Sequence, residues 1–123
     1  MIKDGITRKI LFSDLFEFIA PDFIMSEVEK YKQLIMDRAE INKSEFEYLI
    51  LIIFERIKVL SKENYSNFLE ESRSLIDDKK DAPYIAVYFF SKSEGIWTHD
   101  NHFSKLKNVN VFSNIDLLEL IQS

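Results

Sequence analysis

Short apolar runs alternate with longer amphipathic stretches along this chain, and this alternation restricts its fold more than any other feature. The apolar runs cover residues 15–21, 57–60, 96–98 and 109–112, and each has the length of a buried strand. Between them, apolar residues recur every three or four positions, which predicts helices. Strands joined by helices favour a mostly parallel sheet with helices on both faces. We therefore predict a single α/β domain over residues 1–123, with a three-layer α/β/α arrangement.

Some helix boundaries can be predicted from the residues themselves. Apolar positions at helical spacing predict one continuous helix over about residues 22–38. Ser44 and Glu47 have the spacing of a capping box, which predicts that a largely buried helix begins there and ends near residue 56. Asparagine is a preferred capping residue, so Asn114 is expected to cap the last helix.

Charge and composition narrow the classes of function. The net charge of -5 argues against a protein that binds nucleic acid through a broad basic face. An acidic site can still approach a phosphate when divalent cations lie between the two. The absence of cysteine excludes disulfides and thiolate metal sites, and it is consistent with a reducing cytoplasm. Because no apolar run approaches the ~20 residues of a bilayer span, and no signal peptide is visible, we expect a cytoplasmic protein with no membrane partner.

Acidic residues stand at unusual positions in three of the predicted elements. Glu27 lies at the edge of the apolar stripe of its helix, where a solvated rim position is the ordinary explanation. Asp81 opens a strongly apolar helix just after Asp77 and Asp78, and a capping or first-turn aspartate that the helix dipole stabilises would explain it. Asp100 directly follows a buried strand, where turn residues and catalytic groups of α/β proteins both occur.

Other catalytic patterns are missing from the sequence. His99 and His102 are the only histidines, and without cysteine or a His-Glu-x-x-His pattern they are expected to be surface residues rather than zinc ligands. No phosphate-binding glycine loop is present, which excludes the common nucleotide-cofactor sites. No Gly-x-Ser-x-Gly turn is present either, which argues against a serine hydrolase.

Three segments that contain these acids resemble, in order, the acidic motifs of PIN domains. APDFIMSEVEKY resembles the second motif, in which a glutamate follows a strand that ends in proline. DDKKDAPYIAVYFF is similar to the third motif, an aspartate that opens an apolar helix, and IWTHDNHF is similar to the fourth. The separation of 19 positions between Asp81 and Asp100 suits the family, and NVNVFSNIDLLELI resembles its last strand and helix.

The resemblance implies a metal-dependent endoribonuclease of the kind found in VapC-type toxins and RNA-processing factors. It implies that Glu27, Asp81 and Asp100 carry one or two Mg²⁺ or Mn²⁺ ions and act in catalysis. By the same analogy Thr98 orients a ligand or a water molecule, and Asp78 supports the site from outside. RNA would be the substrate, and a protein antitoxin and a second copy of the chain would be the partners.

The family's first motif has no counterpart in this chain. In PIN domains it is an N-terminal hydrophobic strand that ends in an aspartate, whereas IKDGITRKILFSD resembles the segment that follows that strand. The resemblance therefore implies an N-terminally incomplete domain without the first central strand. Three hypotheses remain: a metal-dependent ribonuclease, a non-catalytic module that binds protein or RNA, and a protein that dimerises through an exposed sheet edge.

Overall fold

Short parallel strands alternate with helices in the computed structural model, which describes residues 5–123. The strands are β1 (Phe18–Pro21), β2 (Ile57–Leu60), β3 (Ile96–Trp97) and β4 (Val111–Phe112). The α-helices are α1 (Gly5–Leu11), α2 (Phe23–Lys30), α3 (Lys32–Ala39), α4 (Lys43–Glu55), α5 (Lys62–Tyr65), α6 (Leu69–Leu75), α7 (Ala82–Ser91), α8 (Asn101–Ser104) and α9 (Asn114–Gln122). Single 3-10 turns at Ser66–Phe68 and Lys79–Asp81 precede α6 and α7.

The strands form two parallel pairs rather than one sheet. β1 pairs with β2, with Phe18 opposite Ile57, and β3 pairs with β4, with Ile96 opposite Val111. The predicted α/β class and the parallel pairing are thus confirmed. Within residues 5–123, however, β1 and β3 each have a neighbouring strand on one edge only, so the predicted single sheet is divided.

A groove of about 580 Å³ lies where the two sheets face each other. Residues of β1 and β3 line it, together with Val87 of α7, Leu11 of α1 and Leu117 of α9. The rings of Phe18 and Trp97 meet across it with centroids 5.4 Å apart. All four residues of β1 and both residues of β3 line the groove, so the unpaired edges of these strands border it. Its lining is mostly apolar but includes Glu17, Lys92 and Glu94.

Helix α7 is the central element of the core. Its residues Ala82, Ile85 and Ala86 are completely buried. Ala86 and Val87 belong to a cluster that includes residues of β2, α5 and α6, whereas Ala82 and Ile85 pack with Phe103 and other apolar residues of the later part of the chain. Full burial of an isoleucine side chain contributes about 1.5–3 kcal/mol. This packing fixes the position of the start of α7, where Asp81 lies.

The single helix predicted over residues 22–38 is interrupted at Tyr31. Its φ and ψ angles of -99° and 9° depart from helical values, and α2 ends where α3 begins. The hydrogen bonds from Tyr31 N to the Glu27 carbonyl and from Ile35 N to the Tyr31 carbonyl keep the two helices close to one path. Apolar periodicity reports which side chains share a face, so it does not reveal a distortion at one residue.

The predicted caps are each displaced by one or two residues. The capping box of α4 uses Asn42 and Glu45 rather than Ser44 and Glu47, and the N-cap of α9 is Ser113 rather than Asn114. In both cases neighbouring residues offer equivalent side-chain oxygens, so residue type alone does not select between them.

Helix α4 is also less buried than predicted. Phe46 is its one fully buried residue, while Tyr48 and Leu51 are exposed. The helix packs against β2, which lies at an outer edge of its sheet and covers only one side of the helix. No helix among residues 5–123 combines the length and the apolar character that a bilayer span requires.

Candidate metal centre

Asp81 lies at the start of α7 but does not cap it. The side chain of Asp78 accepts a hydrogen bond from Lys80 N at 3.0 Å and so caps the turn Lys79–Asp81. Asp81 makes no side-chain capping bond to α7. Its Oδ2 is buried and has no hydrogen-bond partner in the described part of the chain. Side-chain capping therefore does not explain Asp81, although its place at the helix start still suits the helix dipole, and the carboxylate has an unused acceptor oxygen.

Asp100 and Thr98 form a hydrogen-bonded turn just beyond β3. Thr98 N donates to the carbonyl of Phe112 at 3.2 Å, and Thr98 Oγ1 accepts from Asp100 N at 3.0 Å. Asp100 Oδ1 then accepts from His102 N at 2.9 Å, so Asp100 caps the short helix α8. The turn explanation for Asp100 is thus confirmed, and the same turn fixes the orientation of its carboxylate.

His102 joins the two aspartates in one cluster. Potential ligand atoms of Asp81, Asp100 and His102 all lie within 4.8 Å of one another. His102 Nδ1 is also 3.1 Å from Asp100 Oδ1. The histidine is half exposed, as expected of a surface residue, but its membership of this group was not predicted. The one sequence signal for it is the Asp-x-His spacing at the carboxyl end of a strand.

The cluster borders a small cavity of about 190 Å³. Its lining residues come from the start of α7, from β3 and the turn after it, and from α8: Asp81, Tyr84, Ile96, Trp97, Thr98, Asp100 and Phe103. The cavity therefore combines carboxylates and a threonine hydroxyl with an apolar floor.

Glu27 approaches this site from α2 but is not a member of the three-residue cluster. Its carboxylate accepts a hydrogen bond from the hydroxyl of Tyr84, which lies one helical turn after Asp81. Burial, the hydrogen bond to Glu27, and the charges of Glu27 and Asp81 raise the pKa of Tyr84, so its hydroxyl stays protonated and remains a donor. The structure thus brings Asp81 and Asp100 together and holds Glu27 beside them through Tyr84.

The pKa of Asp81 reports the electrostatics of the whole group. Burial raises the pKa of this carboxyl, and the negative charges of Asp78, Asp100 and Glu27 raise it further. His102 opposes the rise. The other three predicted acids therefore all act on Asp81, and the ionised form of Asp81 is the form that the surroundings disfavour. A bound cation would remove that penalty.

The residues present fit a divalent cation. Carboxylate oxygens are the ligands that Mg²⁺ and Mn²⁺ prefer, and the buried Asp81 Oδ2 has no other partner. Asp100 and His102 offer further ligand atoms at the distances that one ion can bridge. Imidazole is a ligand more typical of transition metals, so Mn²⁺ is the first ion to test.

Comparisons with known proteins bear on this site. A family model described as PIN domain matches residues 1–111, a range that contains Glu27, Asp81 and Asp100. No curated protein and no solved structure matches the chain.

Proposed function

The chain belongs to the PIN domain family, and we propose that it is a Mg²⁺- or Mn²⁺-dependent endoribonuclease. The observation that carries the proposal is the buried Asp81 Oδ2, which lacks a hydrogen-bond partner among residues 5–123 and lies within 4.8 Å of ligand atoms of Asp100 and His102. A carboxylate with a raised pKa and an unused oxygen is unfavourable for folding, and it is what a cation-binding site requires.

Each residue of the site has a proposed role. Asp81 and Asp100 hold the cation, with Glu27 at its side, and these are the three acids that we assign to catalysis. Thr98 orients Asp100, because its hydroxyl accepts from the Asp100 backbone. Asp78 fixes the entrance of α7 and adds negative charge from outside the cluster. A bound divalent ion would supply an activated water and neutralise the phosphate of the substrate.

Exposed lysines near the acids support an RNA substrate. Lys80, Lys105 and Lys107 are exposed in the segments that carry Asp81 and Asp100 or follow them closely. Lys79 is exposed too, but its Nζ donates to the backbone carbonyl of Arg73. The other three lysines would contact phosphates on either side of the cleaved bond, while the cation offsets the repulsion between acids and RNA.

The proposed function extends to a cellular role and to a complete central sheet. The resemblance to VapC-type toxins supports a cytoplasmic toxin of a toxin–antitoxin pair, with an antitoxin protein as its partner. A strand between β1 and β3 would join the two parallel pairs into one five-stranded sheet within a three-layer α/β/α domain. The unpaired edges on both sides of the groove support that arrangement.

RNA cleavage tests the proposed function. A labelled single-stranded RNA is incubated with the chain and Mn²⁺, with and without EDTA, and beside Asp81→Asn. We expect cleavage that EDTA abolishes and that Asp81→Asn lowers at least ~100-fold. Asp37→Asn is the matched control, because Asp37 is an exposed aspartate on α3, and it should retain activity within about 2-fold. Cleavage that resists EDTA or the Asp81 substitution would contradict the proposal.

A second candidate function is a non-catalytic module that acts through dimerisation. The observation in its favour is the groove with an unpaired strand edge on either side, since such edges pair readily with strands of another molecule. Light scattering over a wide concentration range tests it, with a rise toward twice the monomer mass as the expected result. A monomer at every concentration, together with metal-dependent cleavage, would contradict it.

A further inference from the structure

Tyr84 connects two parts of the candidate metal centre that are distant in sequence. It lies on α7 one turn after Asp81, and its hydroxyl donates to the carboxylate of Glu27, 57 positions earlier in the chain. Its ring packs edge-on against Phe23, with centroids 6.4 Å apart and planes 74° from parallel. The ring is thus supported by the same helix, α2, that carries its hydrogen-bond partner.

We infer that Tyr84 is a positioning residue that holds the Glu27 carboxylate toward Asp81 and so increases the affinity of the site for a divalent cation. This inference rests on the proposed function and assigns a role to a residue outside the acidic motifs.

The hydrogen bond from Tyr84 restricts the conformational freedom of the Glu27 side chain. That side chain is half-buried at the edge of α2, and within residues 5–123 the hydroxyl of Tyr84 is its one hydrogen-bond donor. An unrestrained glutamate loses rotamer entropy when it binds an ion, and this loss weakens binding. A hydroxyl that already restrains the side chain reduces that loss, and it occupies one carboxylate oxygen while leaving the other for the cation.

Tyr84 and Asp81 are also close neighbours in the chain. Asp81 directly precedes α7 and Tyr84 lies in the first turn of that helix, so the backbone fixes the separation of the points from which the two side chains extend. Tyr84 also lines both the small cavity at the acids and the larger groove. The position of the Glu27 carboxylate is therefore set by α7, through Tyr84, as well as by its own helix α2.

Tyr84→Phe isolates the hydroxyl, and Mn²⁺ affinity measured by titration calorimetry is the readout. We expect Tyr84→Phe to weaken Mn²⁺ binding about 10-fold, a size typical for the loss of a group that orients a metal ligand. Tyr88→Phe is the matched control, since Tyr88 is on the same helix and its hydroxyl accepts from Asn110 N instead. Its Mn²⁺ affinity should equal that of the parent chain.

A double-mutant cycle separates positioning from packing. If Tyr84 acts through Glu27, Tyr84→Phe should cause no further loss of Mn²⁺ affinity in a Glu27→Gln background. Phe23→Leu provides an independent test, because it removes the ring that supports Tyr84 but leaves every polar group in place, and it should weaken binding about 2- to 3-fold.

The outcomes distinguish this inference from the proposed function. The inference is wrong if Tyr84→Phe leaves Mn²⁺ affinity unchanged, or if Tyr84→Phe lowers the affinity as much in the Glu27→Gln background as in the parent chain. In either case, Mn²⁺ binding by the parent chain would still support the metal site. A parent chain that binds no Mn²⁺ overturns both. Unfolding curves without metal show whether each variant is folded before its affinity is measured.

Discussion

Two helices in this protein have an aspartate near their N-terminus, and folding shifts the pKa values of these two aspartates in opposite directions. At the start of α9, Asp116 accepts from Ser113 N at 2.8 Å and from Ser113 Oγ at 3.0 Å, and these bonds lower its pKa. At the start of α7, Asp81 caps nothing, and burial with three neighbouring acids raises its pKa. Ser113 and Asp116 form a capping box that stabilises the folded chain.

Of these two aspartates, Asp116 stabilises the fold and Asp81 does not. The helix dipole favours an acid near either helix start, so the dipole alone does not separate the two cases. The hydrogen bonds do, because in the α9 box each side chain accepts from the backbone N–H of the other residue, whereas Asp81 Oδ2 has no partner among the described residues. An acid that destabilises its own fold is expected where a ligand provides the missing interaction.

The largest expected effect is stabilisation by a cation that requires Asp81. At a concentration of Mn²⁺ about 100 times its Kd, the Tm of the parent chain should rise by about 10 °C. Asp81→Asn should abolish most of this rise, whereas Asp116→Asn should preserve it. Differential scanning fluorimetry with and without MnCl₂ measures the Tm of the parent chain and of both variants. An equal rise in Asp81→Asn and in the parent would show that cation binding does not require Asp81.

Removal of the cap of α9 should have the next largest effect. Ser113→Ala eliminates the hydroxyl that accepts from Asp116 N, and it should lower the free energy of unfolding by about 1 kcal/mol. Urea titration measures the loss. Ser74→Ala, an exposed serine within α6, is the control and should change stability by less than about 0.5 kcal/mol. Equal stability of Ser113→Ala and the parent would show that the box contributes nothing.

Asp81→Asn should stabilise the protein when no metal is added. Because folding raises the pKa of Asp81, the folded state binds more protons than the unfolded state, and stability falls as pH rises from the ordinary value of 3.8 through the raised value. Asparagine avoids that loss, so at pH 7 the Tm should rise by a few degrees, a modest gain because solvent screens a half-exposed group. The gain should vanish below about pH 3.8, and a lower Tm at pH 7 would contradict this account.

The smallest effect should come from Asp116, with the opposite dependence on pH. Folding lowers its pKa, so its contribution is present above the ordinary value of 3.8 and is lost as pH falls through the lowered value. Asp116→Asn should therefore lower the Tm slightly at pH 7 and not at all in strong acid. In a pH series of melting curves, the Tm values of Asp81→Asn and Asp116→Asn should diverge as pH rises. Tm values that change in parallel would contradict the opposite pKa shifts of the two aspartates.

The sequence predicted the elements better than their ends. Apolar runs located the four strands of residues 5–123, although β2 exposes Lys58 and Val59 and β3 and β4 are only half-buried. The start of α4 was misplaced because Asn42 with Glu45 and Ser44 with Glu47 have the same spacing, and only the folded chain distinguishes them. The division of the sheet could not be predicted from composition, because pairing depends on which strand edges meet in space.

The acidic residues of the site were predictable, but the groups around them were not. Asp81 and Asp100 fall within motifs, and the structure places them in one cluster. Tyr84 has the appearance of a core residue in an apolar helix, and its bond to Glu27 joins segments that only tertiary folding brings together. His102 was set aside because a histidine after a turn is usually solvated, and the distance to Asp81 is not encoded by any local pattern.

The groove between β1 and β3 has a thermodynamic consequence for cation binding. Glu27 follows β1 and Asp100 follows β3, so the two sheets carry separate parts of the site, and their spacing sets how closely the acids approach. An occupant of the groove that changed this spacing would change the affinity for the ion. By linkage the ion would then change the affinity of the groove for that occupant by the same factor.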